Sequence, residues 1–79
     1  MWELLVNGAT LNVGDRLRYR IIYRDEELVN EVKIIMVGQY YFFVLTTKIG
    51  DVEIVEQDQQ TIKYSLSDLN RLGLERWIA

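Results

Sequence analysis

Tyr40-Tyr41-Phe42-Phe43-Val44-Leu45 decides the fold, because six large apolar or aromatic residues follow one another without a polar break. Successive side chains of a strand point to opposite faces, so the odd set (Tyr41, Phe43, Leu45) and the even set (Tyr40, Phe42, Val44) would both avoid water. The expectation is a central strand with neighbours on both sides and cover above and below. A run this short cannot span a membrane.

Working outward, Gly38-Gln39 fits a two-residue turn with glycine first. That turn sets Val37 opposite Tyr40, Met36 opposite Tyr41, Ile34 opposite Phe43 and Val32 opposite Leu45. Val32, Ile34 and Met36 would then face the core from a strand over Leu28 to Val37. Downstream, Gly50-Asp51 repeats the pattern and places Lys48 across from Glu53 and Thr47 across from Ile54, an arrangement favoured by the opposite charges of the first pair.

Upstream, a long strand over Arg16 to Arg24 carries Leu17, Tyr19, Ile21 and Tyr23 toward the core. Arg16, Arg18, Arg20, Ile22 and Arg24 alternate with them on the other face. A two-residue turn at Asp25-Glu26 predicts Arg18 beside Lys33, Arg20 beside Glu31 and Arg24 beside Glu27. Near the start, Asn7-Gly8 between Leu4-Leu5-Val6 and Ala9-Thr10-Leu11 predicts a small N-terminal hairpin. Asp58-Gln59-Gln60 is a polar turn before a short strand, Thr61-Ile62-Lys63-Tyr64. A helix of about two turns then starts at Ser65, with Ser65 capping the Asp68 amide, Leu66, Leu69 and Leu72 on its inner side, and Gly73 ending it. So short a helix must rest on the sheet, as must Leu74, Trp77 and Ile78.

Together these readings give one mainly β domain over residues 1–79. It is either a small antiparallel barrel or a strongly twisted sheet of five to seven strands with one short C-terminal helix; an α+β sheet with the helix across one face is the alternative. The element order, and the pair Gly14-Asp15 opening a strand in Val13-Gly14-Asp15-Arg16-Leu17, resembles the SH3-like small barrels, including the Tudor-type and KOW-type modules. The chain lacks the proline-peptide groove pattern of signalling SH3 domains and offers no assignable aromatic cage. What the resemblance implies is a fold and no particular activity.

Composition narrows function mainly by exclusion. The 79 residues include no histidine and no cysteine, so Ser-His and Cys-His pairs, disulfides and the usual zinc frameworks are ruled out. Asp51, Glu53, Glu56 and Asp58 form an acidic run without the spacing or glycine of a calcium loop. No catalytic residue, metal site or cofactor is therefore expected. The Met1-Trp2-Glu3 start does not read as a signal peptide, so a cytoplasmic location is the default expectation. A net charge of -3 argues against general attraction to nucleic acid or an anionic membrane.

The most specific polar feature is the arginine row. Arg16, Arg18 and Arg20, with Lys33 from the next strand and Tyr40 and Phe42 from the one after, would form a surface that is both basic and aromatic, suited to an acidic protein segment or a nucleic-acid strand. The expected function is a non-enzymatic protein-protein interaction module, an inhibitor or adaptor of the kind that a phage or mobile element encodes. Its partner is another protein or a second copy of itself, and nucleic-acid binding through Arg16, Arg18 and Arg20 is the alternative.

Overall fold

A computed structural model describes residues 1–79. Seven antiparallel strands form a single sheet that is not closed into a barrel. They are β1 (Trp2–Leu4), β2 (Arg16–Tyr23), β3 (Glu26–Val37), β4 (Tyr41–Ile49), β5 (Val52–Glu53), β6 (Thr61–Ser65) and β7 (Glu75–Trp77). The spatial order is β1-β7-β2-β3-β4-β5, and β6 also pairs with β4. The single α-helix, α1 (Leu69–Leu72), follows a 3₁₀ turn over Leu66–Asp68.

The aromatic ribbon is central, as its composition requires. β4 has β3 along one side, and β6 and β5 in succession along the other. Its cover is one-sided, however. Phe42, Val44 and Thr46 are buried, joining Leu17, Val32, Ile34, Leu5, Leu11, Leu69 and Leu74 in the interior. Tyr41, Phe43 and Leu45 lie on the opposite face, Tyr41 exposed and the other two half-buried.

The expected β3–β4 register fails for a local reason. The connection extends through Tyr40, with the Gly38 amide donating to the Tyr41 carbonyl at 2.7 Å. Val37 therefore faces Phe42, and Met36 faces Phe43. A bulge at Ile35 then adds one residue to β3, so that Ile34 meets Val44 and Val32 meets Thr46. A one-residue slip exchanges the two faces of a strand, and this is why the even set of β4, not the odd set, enters the core. Met36, expected inside, is exposed.

The β2–β3 hairpin turns at Arg24-Asp25, both with positive φ (51° and 64°), and not at Asp25-Glu26. Arg16 consequently pairs with Lys33, Arg18 with Glu31, Arg20 with Val29 and Ile22 with Glu27. The two-residue shift keeps the alternation of β2 and changes the neighbours, but of the four residues expected to face the core only Leu17 is buried and Tyr19 partly so; Ile21 and Tyr23 are exposed, because the end of the hairpin runs past the core. By contrast, the Gly50-Asp51 turn sets Lys48 against Glu53 as expected, and the Ile54 amide donates to the Thr47 carbonyl at 2.9 Å.

The chain ends hold the largest departure. A turn does form at Asn7-Gly8, with the Ala9 amide donating to Val6, yet no hairpin follows. β1 instead pairs with β7, setting Trp2 against Trp77. Asn7 is taken up by a reciprocal clasp: its amide donates to Asn70 Oδ1 (2.8 Å), and the Asn70 amide donates to Asn7 Oδ1 (3.1 Å). The Ser65 hydroxyl bonds to Ser67 Oγ and does not cap the helix. Gly73 ends α1 at φ 67°, as its position predicts.

Candidate functional site

The outer face of the sheet, opposite the core, holds two adjoining zones. The first is the arginine row on β2. Arg16, Arg18 and Arg20 share this face with Lys33, because residues at spacing two on one strand and their cross-strand partners point the same way. Each arginine is already bound to a carboxylate. Arg16 Nε donates to Glu31, Arg18 Nε to Glu75 at 3.0 Å, and Arg20 pairs with Glu27 at 3.0 Å and with Glu75 at 3.3 Å. The Arg16 hydrogen bond holds the Glu31 carboxyl below its ordinary range, against partial burial and with help from Lys48 and Arg18.

Rings do accompany the arginines, but not the expected ones. The Arg18 guanidinium lies 4.3 Å from the Trp2 ring centre, and Arg16 lies over both Trp2 and Trp77. The two indoles meet edge to face at 5.4 Å. Phe42 is fully buried on the other side of the sheet against Tyr64, so its assignment to the arginine face is corrected by the Ile35 bulge. Tyr40 is 67% exposed, but in the β3–β4 connection away from the arginines. Of the six residues expected to form one surface, four are gathered and two are not.

The second zone lies where the sequence pattern places interior residues. Met36, Tyr41, Phe43 and Leu45 form an apolar patch on β3 and β4, Met36 being 51% and Tyr41 45% exposed. Lys33 stands opposite Leu45 on one side of the patch, and Lys63 stands opposite Phe43 on the other. These two lysines and Arg24 are the basic side chains with no carboxylate partner. The Lys63 ammonium rests 4.1 Å from the Tyr41 ring centre.

Beyond Lys63 the sheet ends, since β6 pairs with β4 alone. At the C-terminal end of β6 a groove of about 540 Å³ opens between Tyr40 and Tyr41, Ser65 and Ser67, and Asn7 and Gly8. The sequence signal for this zone was the odd half of the aromatic run. The alternation pattern places it in the interior, because a bulge leaves no mark in the composition.

No cluster of carboxylates with metal-binding geometry occurs, and no helix is long and apolar enough to cross a membrane. Compared with known proteins, the chain matches no family model, no curated protein and no solved structure.

Proposed function

We propose that this chain is a non-enzymatic protein-binding module, acting as an inhibitor or adaptor, and that it meets its partner with the outer face of β4 and β6. The observation that carries this reading is the apolar patch Met36-Tyr41-Phe43-Leu45, with Met36 and Tyr41 exposed and Phe43 and Leu45 half-buried, set between two lysines that no carboxylate neutralises. An exposed apolar patch flanked by cations without carboxylate partners suits an interface with complementary charge. An SH3-like ancestry fits the strand order with a single helical turn before the last strand, the barrel here being left open.

The competing nucleic-acid reading has less support. A phosphate-binding surface needs spare cations, and Arg16, Arg18 and Arg20 are each held by a glutamate. The test compares the wild type with a Met36→Lys, Leu45→Lys double variant of equal thermal stability. Solution mass and affinity capture are expected to show a dimer or a retained protein that the variant loses. A monomeric wild type that captures the same proteins as the variant would overturn the reading. Salt-sensitive binding of a single-stranded oligonucleotide, lost on Arg18→Glu with Arg20→Glu, would replace it with the nucleic-acid one.

A further inference from the structure

From the open edge of β6 we infer that the module takes its partner by strand addition, the occupant being an extended segment with an acidic residue flanked two positions away on each side by apolar ones. This inference rests on the outer-face reading above and specifies its mode. Three features of the edge carry it.

The first is the direction of the backbone groups. The Thr46 amide donates to the Gln60 carbonyl at 2.9 Å, and the Leu66 amide donates to the Tyr40 carbonyl at 2.8 Å, one at each end of the β4–β6 ladder. Antiparallel bonds recur at every second residue, so Ile62 and Tyr64 turn their N–H and C=O toward β4. Thr61, Lys63 and Ser65 turn theirs away, to the side where the sheet has no further strand. Five residues without proline or bulge make β6 longer than the other two edge strands, β1 with three residues and β5 with two. Such an edge is a ready template for another chain.

The second feature is the position of Lys63. A lysine in mid-edge ordinarily discourages pairing. Here its ammonium is drawn back over the Tyr41 ring, leaving the strip beyond the edge clear and presenting one positive charge at the middle of the strand. A residue added opposite Lys63 on the outer face completes an opposite-charge cross-strand pair if it is Asp or Glu. The third feature is the size of its neighbours. Thr61 and Ser65 are small and stand opposite Leu45 and Tyr41. Apolar side chains added opposite them can therefore lean across onto the exposed patch, and the groove beyond Ser65 receives whatever follows.

The probe is a capped peptide of sequence Thr-Leu-Thr-Glu-Thr-Leu-Thr, titrated into the isotope-labelled domain with amide exchange read residue by residue. The expected result is slowed exchange at Thr61, Lys63 and Ser65, with Ile62 and Tyr64 little changed because they are already bonded to β4. Lys63→Glu is expected to weaken this peptide about fivefold and to favour its Glu-to-Lys counterpart, the scale of one cross-strand charge reversal. Methylating the peptide's edge-facing amides should abolish binding.

Shifts confined to Met36, Phe43 and Leu45 without protection along β6 would overturn strand addition and leave the outer-face reading standing. No saturable binding at millimolar peptide would overturn the inference, the outer-face reading then being decided by the Met36→Lys, Leu45→Lys comparison. Protection at Thr61, Lys63 and Ser65 that grows with protein concentration alone would mean that a second copy fills the edge, which also overturns the acidic-segment occupant.

Discussion

At the scale of single residues, the molecule turns on which phenylalanine of a consecutive pair is inside. Phe42 is fully buried against Tyr64, while Phe43 is half-buried on the other face, and nothing in the two side chains themselves distinguishes them. The alternation of β2 was legible because Leu17 and Tyr19 alternate with arginines, and a charge has only one comfortable side. In the ribbon every residue is apolar, so both phases satisfy the pattern and backbone geometry decides.

Arg24 poses a different residue-scale question. It occupies a positive-φ position (51°) in a two-residue turn that favours Asn or Gly, and it has no carboxylate partner, lying instead over the Tyr23 ring. Arg24→Asn is expected to stabilise the fold by about 0.5 to 1 kcal/mol through relief of that backbone conformation. Urea unfolding measures it, and a loss of stability would mean that the stacking on Tyr23 outweighs the strain.

At the scale of elements, the sequence showed where strands lie better than which strands meet. β2, β3, β4, β6 and the Gly73 helix stop were all visible in local pattern, since alternation and turn glycines act over a few residues. The β1–β7 pairing was not, because it joins residues at opposite ends of the chain and the hairpin signal at Asn7-Gly8 was spent on a turn that Asn70 holds. That pairing is tied by the Trp2–Trp77 contact with Arg18 over one indole. Trp2→Ala should cost about 1 to 3 kcal/mol from lost apolar burial and ring contact. It should also speed amide exchange in β7 before the rest of the sheet opens, and exchange that accelerates uniformly would show that the terminal strands are not a separable unit.

For the molecule as a whole, two groups couple stability to pH. Glu31 is held below its ordinary value of 4.5 chiefly by the Arg16 hydrogen bond, so the folded chain takes up its proton less readily than the unfolded one. Its stabilising effect is complete above that ordinary value and fades as acid drives the pH through the lowered one. Glu31→Gln should lower the urea midpoint near neutrality, with the gap to the wild type closing in acid. Tyr64 behaves in the opposite sense. Burial, and secondarily the Tyr19 phenol, raise it to about 12, so the folded state keeps a proton that the unfolded state releases from about pH 10. Stability should therefore fall as pH climbs between those values, and Tyr64→Phe should remove this alkaline loss. A wild type and variant with parallel alkaline profiles would contradict the assignment.

The arginine row also takes its meaning at this scale. Its alternation was readable from sequence, but its neutralisation by Glu31, Glu27 and Glu75 depended on a two-residue shift in one turn and on a strand from the far end of the chain. The open patch beside it follows from the Ile35 bulge, and the case for a binding module on β4 and β6 stands on that patch lying outside the core. Unfolding free energies of Phe42→Ala and Phe43→Ala, measured side by side, test this most directly. Removing Phe42 is expected to cost about 3 to 5 kcal/mol as a core cavity, and removing Phe43 less than about half as much. Equal losses, or a larger one at Phe43, would mean that the odd face is the interior and that the outer patch does not exist.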